Sequence, residues 1–364
     1  MSTDRTTARP WWQRWFDLWR ATGPHAAPAA PAPRDRGLRA AAADPARAPD
    51  RSAEAARVSQ QLQQGLCLLA LRPVPDRGEP CDTALCEATA QALQDRGWGA
   101  RDIPRRPQLL PQLMHAVNDP DASARLTASI IAQDPVLTGS LLRVANSPAF
   151  RVQERPVDSL QRAVTLVGHE GIRQVISAVV VQPVMQIHCS GFPHFSAIIW
   201  EHALLASRTA SDHARLLGTG DPFAAQWLGL TQGLGAALVM KQVLAESERM
   251  SAAVNPATAG HVLQQWTLPV AQRIAQAWAL PEPVHRALDP AAVGHGVGAS
   301  LAFARAAAAA SLMCRHGVMG QSQARALLER LPATPPAALA TLWRRLHGQS
   351  VETLADEQAA QRGG

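Results

Sequence analysis

Tyrosine is missing from this chain of 364 residues, and lysine occurs once, as Lys241, so positive charge rests almost wholly on arginine. Both are read as coding bias without functional weight. Cysteine is scarce, odd in number and scattered: Cys67, Cys81, Cys86, Cys189 and Cys314. That pattern argues against a disulfide framework and for reduced thiols in a cytosolic protein. Cys81 and Cys86 could clip a metal, but no second Cys/His pair stands at matching spacing, which leaves them as ordinary buried thiols. No apolar run approaches about 18 residues, so no membrane span is expected. No stretch sustains period-two alternation, which argues against strands and, with them, a strand–loop–helix phosphate cradle. Ser147 and Ser211 lack a paired His and acid in any recognisable motif, so neither reads as a nucleophile.

Hydrophobic residues make up 47% of the chain, enough to bury a sizeable core at this length. The net charge is +6, but residues 1–60 carry ten arginines against six acids, so most of the excess sits there. A nucleic-acid binder concentrates arginine on a folded face with stacking aromatics. No such stripe follows residue 60, and no nucleic-acid partner is expected.

Near the start lies Pro10–Arg20, "PWWQRWFDLWR". On a helical wheel Trp11, Trp12, Trp15, Phe16, Leu18 and Trp19 fill one arc, with Gln13, Arg14, Asp17 and Arg20 opposite. Three turns cover only about 16 Å, too short to cross a bilayer but suited to lying in its interface. The expectation is contact with a membrane surface or a partner; co-sedimentation with anionic liposomes, with and without residues 1–50, reads it out. An uninterrupted apolar core and a cleavage site are missing, so it does not read as a secretory signal. Residues 21–52, rich in Ala, Pro and Arg without periodicity, read as a flexible linker. Residues 53–98 read as two helical pieces around a Pro/Gly-rich break.

Beyond Pro104 the helix signals sharpen. Asp121 can cap a helix over Ala122–Ala132 that buries Leu126, Ile130 and Ile131. Asp134 followed by Pro135 is an N-cap and a first helical residue. The helix they open buries Leu137, Leu141, Val144 and Ala145 and stops at Asn146-Ser147-Pro148, with Asn146 suited to a left-handed cap. Asp158 can cap a helix with Leu160, Ala163, Val164 and Val167 inside, closed by Gly168. Further helices are expected over Ile172–Val181, Ile198–Leu217, Pro222–Met240, Gly260–Trp266, Val270–Trp278, Val284–Leu288, Leu301–His316 and Gln321–Arg330. The fold class is all-α, a many-helix domain.

Four segments in this order, "NDPDASARLTASIIAQDPVLTGSLLRVANSPAF", "RPVDSLQRAVTLVGHEGIRQVI", "WEHALLASRTA" and "WALPEPVHRAL", resemble the HDOD domain, a bacterial output domain related to the HD phosphohydrolases. The resemblance covers about Pro104 to Leu288. Asp134, Pro135, Leu141, Leu142, Ala145, Asn146, Ser147 and Gly168 are the motif positions that carry it. It implies an all-α, HD-like fold and a regulatory module of bacterial signal transduction. The expected organisation is an amphipathic helix (1–20), the linker (21–52), a helical adaptor (53–103), the HDOD-like domain (104–292), C-terminal helices (293–348) and a tail (349–364).

The resemblance also gives a place to Leu228–Met240, "LGLTQGLGAALVM". In the wider HD superfamily this helix carries an adjacent His-Asp pair whose side chains, with ligands from other helices, hold divalent metal that activates water on a phosphate. Aligned on Gly229 and Gly235, this chain has Gln232 and Gly233 at those positions. His202 stands at a retained first-ligand position, Thr267 lies near a later histidine position, and His285 has no acid beside it. One imidazole does not make a metal site. Gly229 and Gly233 are expected on a helix face that a neighbouring helix approaches closely. The expectations are therefore no catalytic residue, no metal, no cofactor, and a protein partner or small signal. The alternative is a metal-dependent phosphohydrolase acting on a nucleotide such as a cyclic dinucleotide. The expected location is the cytoplasm, with peripheral contact at the inner face of the membrane through residues 10–20.

Overall fold

Asp134 sets the pattern for how these helices begin. Its carboxylate accepts from Val136 N at 2.7 Å and Leu137 N at 3.1 Å, with Pro135 at the first helical position. Two of the donors that a helix start leaves unpaired are thereby satisfied. Asp221 does the same for a later helix, and Asp82 and Asn255 each accept one such bond at the start of theirs. The structure, a computed structural model, describes residues 48–347 apart from 73–80, 96, 105–108, 119–122, 148–149, 151–155, 169–170, 173–174, 176–186, 188, 190, 290–294 and 332–333. Trp11, Trp12, Trp15, Phe16 and Trp19, most of the linker, Asp121, most of the helix expected over Ile172–Val181, and the tail lie outside the described residues.

Among the described residues every regular element is a helix: α1 (Ala48–Ala70), α2 (Thr83–Gln94), α3 (Trp98–Asp102), α4 (Leu110–Asn118), α5 (Ala124–Ile131), α6 (Pro135–Ala145), α7 (160–168), α8 (Phe195–Leu217), α9 (Pro222–Met250), α10 (Pro256–Ala277), α11 (Glu282–Ala287), α12 (Gly296–Arg315), α13 (Gln321–Leu328) and α14 (Pro336–His347). The fold is all-α. One buried apolar cluster runs from Val58 on α1 to Leu346 on α14. At its centre α9 packs between α8 and α10, and α12 lies against α8 and α1. The segments before and after the HDOD-like stretch thus pack on the same core.

The expected helix ends need several corrections. Helix α5 starts from Ser123, whose Oγ accepts from Leu126 N at 3.2 Å. Its buried arc is Thr127, Ala128, Ile130 and Ile131, and Leu126 is 48% exposed. For α7, the Ser159 carbonyl accepts the first backbone bond, from Ala163 N, so the cap residue is Ser159 and not Asp158. Gly168 closes it at φ +70°. Asn146 ends α6 at φ −91°, outside the left-handed region. Helix α9 runs on to Met250, and α10 is one helix where two were expected, with Pro269 inside it. Two helices, α9 and α12, are long and apolar enough to cross a membrane, against the expectation that none would be. Most of each is buried inside the fold, which accounts for their composition.

The elements before the HDOD-like stretch are tied to the core by polar bonds. Trp98 Nε1 donates to Gln242 Oε1 at 2.8 Å, and the Arg273 guanidinium lies 5.0 Å from the Trp98 ring while bonding the Leu93 and Asp95 carbonyls. At the first residue of that stretch, the Pro104 carbonyl accepts from Trp278 Nε1 at 2.8 Å.

Candidate functional site

The glycines of α9 decide how closely its neighbours approach. A Cβ on Gly229 would collide with the α8 backbone at Ser207 and Ala206. One on Gly235 would stand 2.5 Å from the Thr267 carbonyl of α10. The close approach expected at Gly229 is therefore present. Gly233, one turn further on, lines a cavity.

That cavity, of about 380 Å³, lies where α1, α8, α9, α10 and α12 meet. Ile199 and His202 face it from α8, Gln232, Gly233 and Ala236 from α9, and Leu263, Gln264, Thr267 and Leu268 from α10. Helix α1 supplies Gln63, Leu66 and Cys67, and α12 supplies Arg305. The structure thus brings His202, Gln232, Gly233 and Thr267 together. It leaves His285 outside the cavity lining, on α11. The motif positions Asp134, Pro135, Leu141, Leu142, Ala145, Asn146, Ser147 and Gly168 do not line it either. Leu141 and Ala145 are fully buried, Leu142 packs against the core and the rest cap or terminate helices, so their part here is to build α6 and α7.

The electrostatics of the cavity run opposite to those of a metal site. His202 is 2% exposed and its Nε2 donates to the Arg305 carbonyl at 3.2 Å. Burial brings its imidazole down to about 4, so it is neutral at physiological pH. Gln232 is 4% exposed, and its Oε1 accepts no hydrogen bond among the described residues. Thr267 spends its hydroxyl on the Leu263 carbonyl at 2.6 Å. Arg305 is the one cation in the lining. Its Nη2 meets Gln63 Oε1 at 3.4 Å, while its Nε is sealed from solvent without a partner. Burial lowers the guanidinium to about 10, which leaves it charged at neutral pH. Cys67 beside it supplies no counter-charge, because burial pushes its thiol up to about 11 against the pull of Arg305. A single imidazole with an amide, a glycine and a fixed cation, and no carboxylate in the lining, does not fit a divalent metal. No group of three or more His, Cys, Asp or Glu placed to hold a metal occurs among the described residues. Cys81 and Cys86 are free, with sulfurs 3.3 Å apart, and Cys81 is exposed rather than buried.

Arg305 is the residue that reading the sequence overlooked. Its signal is a lone charge in the apolar run "AFARAAAAASLMC", inside the helix expected over Leu301–His316. A second overlooked cluster surrounds His213, fully buried on α8. Its Nδ1 pairs with Ser300 Oγ at 2.9 Å and its Nε2 with Thr334 Oγ1 at 3.0 Å, under the Phe303 ring at 4.9 Å. Ser300 also meets Thr219 at 2.6 Å. This network joins α8 to α12 and to the turn before α14.

Four similarities can be set beside this geometry. The family model for the HDOD domain matches residues 103–291. An uncharacterized protein of Treponema pallidum (strain Nichols) is 27% identical over 192 residues, 50% of this chain, and the match spans only 36% of that protein's length. Among solved structures, an HDOD domain protein with unknown function from Geobacter sulfurreducens is 20% identical with a TM-score of 0.47, over 77% of this chain and 95% of that one. A chain from Shewanella amazonensis SB2B, provisionally named a metal-dependent phosphohydrolase, is 17% identical with a TM-score of 0.49, over 72% and 97%.

Proposed function

The chain belongs to the HDOD family, and from that premise we propose that it is a non-catalytic regulatory module of bacterial signal transduction, one that binds a protein partner or a small signal. The observation that carries this reading is the donor set of the central cavity. The positions at which HD phosphohydrolases present metal ligands converge here as His202, Gln232, Gly233 and Thr267. Only one of them offers an imidazole, and it is already bonded to the Arg305 carbonyl. Metal-assisted hydrolysis needs several anionic or imidazole ligands that fix the ion and leave a position for water. Here a guanidinium lines the same space and would repel the ion.

Elemental analysis after mild purification, with assays on cyclic di-GMP and a generic phosphodiester, tests the proposal. The expected result is no stoichiometric Fe, Mn or Zn and no turnover. Restoring the superfamily pair by Gln232→His with Gly233→Asp should not create activity, since the later-helix imidazole and the final acid would still be missing. About one such metal per chain, or turnover abolished by His202→Ala, would overturn the reading in favour of a phosphohydrolase.

A further inference from the structure

The proposed function leaves the signal unspecified, and Arg305 narrows it. Charged groups in a protein interior are paired or hydrogen-bonded, because removing an ion from water without compensation is costly. Arg305 is half-buried and opens onto the cavity; it makes one long hydrogen bond, to a neutral amide, and no carboxylate lies within ion-pair distance of it among the described residues. Its Nε is buried without a partner and its guanidinium lines the cavity. Across the same cavity Gln232 is nearly fully buried, and its Oε1 is also without a partner among the described residues. Two convergent and unsatisfied polar groups, one of them cationic, face a space whose other walls include Leu66, Ile199, Leu263 and Leu268. A volume of about 380 Å³ suits a small organic molecule.

Resting on the non-catalytic reading above, we propose that this cavity is the binding site of a small organic oxyanion, whose phosphate or carboxylate head pairs with Arg305, whose polar substituent meets Gln232 and whose body packs on the leucines. The anion supplies the counter-charge that the protein itself does not. A guanidinium can hold either head group through two parallel N–H···O bonds, so geometry alone does not separate them. Because α1 forms one wall through Gln63, Leu66 and Cys67, the ligand bridges the adaptor helix to the HDOD core. Occupancy thereby changes how firmly α1 is held.

The full chain, in EDTA, is titrated with phenyl phosphate, phenylacetate and the uncharged benzyl alcohol, read by melting temperature and by hydrogen exchange. At least one of the two anions raises the melting temperature and slows exchange across residues 59–67, and benzyl alcohol does neither; which anion acts identifies the head group. Arg305→Met weakens the apparent affinity by about tenfold or more, the worth of a charge-assisted bond. The same variant without ligand melts no lower than the wild type, since an apolar side chain of similar length removes an uncompensated charge. Gln232→Leu, which leaves the cation in place, weakens binding by a smaller factor. Equal responses to benzyl alcohol and the anions, or unchanged affinity in Arg305→Met, overturn the site. No binding with or without added Mn2+ also overturns it, and leaves the non-catalytic reading standing. Binding of phenyl phosphate only once Mn2+ is added, with phosphate released, overturns both.

Discussion

Asn146 does at one position what a short strand pairing does elsewhere. Its Nδ2 donates to the Leu142 carbonyl at 2.9 Å and to the Val157 carbonyl at 2.7 Å, while its Oδ1 accepts from Val157 N at 2.6 Å. The end of α6 and the approach to α7 are thereby clamped through one side chain. Asn146→Ala removes these bonds and leaves partly buried backbone groups unpaired, so it should lower unfolding stability by about 2–3 kcal/mol. Asn146→Asp should not rescue it, because a carboxylate can accept from Val157 N but sets negative charge against two carbonyls. Urea titration of both variants is the check, and a loss below about 0.5 kcal/mol in Asn146→Ala would show that water replaces the clamp. The stop at Asn146 was legible from the residues that follow it. The clamp was not, because its partner is set by where the chain returns. Asp134 could be read fully, since both of its partners lie within three residues. Arg305 was not legible from its neighbours in sequence, since its meaning depends on α1, α8 and α9 arriving around it.

For the helices, backbone contact distance governs. Interior glycine in a helix ordinarily costs about 1 kcal/mol against alanine, so replacing it should stabilise where space allows. Gly139 on α6 has open space around its missing Cβ, and Gly139→Ala should gain up to about 1 kcal/mol. Gly229 faces the α8 backbone at Ser207, which cannot rotate away as a side chain could. Gly229→Ala should therefore lose stability, by about 1–3 kcal/mol net of its propensity gain. Paired thermal melts decide the matter; the same sign for both substitutions would mean that α8 and α9 sit farther apart than described. Helix existence and class were legible from caps and apolar spacing in most of the chain. The join across Pro269 was not. A proline removes one backbone donor and crowds the preceding turn, which reads as a boundary. Here tertiary packing overrides it, with Val270, Ala271 and Ile274 buried and the Thr267 carbonyl pressed against Gly235. Likewise the candidate site was legible in which α8 and α9 positions it comprised, and the wall supplied by α1 and α12 came only from the fold.

On the scale of the whole molecule, the buried histidines make stability depend on pH in a fixed direction. His202 is bonded to the Arg305 carbonyl, and His213 is held between Ser300 and Thr334. Burial brings both imidazoles down to about 4. In the unfolded chain they titrate near about 6.5. Above that value neither state binds the proton and their contribution is constant. Between the two values only the unfolded chain takes up protons, so stability falls as pH drops through the window. Below about 4 the folded state protonates too, and the slope from these groups ends. The scale is roughly 3 kcal/mol per histidine across the whole window, at 1.36 kcal/mol per unit. His347 on α14 is shifted the same way, with Arg315 adding to the effect of burial. Carboxylates titrate mostly below this range, so the fall between about pH 6.5 and 5 belongs chiefly to the histidines. Urea midpoints measured over that interval should decline steadily and recover when the pH is returned to 7. His213→Asn should start lower at pH 7, having lost part of the Ser300–Thr334 bridge, and then decline less steeply. Constant midpoints between pH 7 and 5, or His202 and His213 resonances of the folded protein titrating near about 6.5, would show that water reaches these sites and that the helices around them are less tightly joined than the geometry requires.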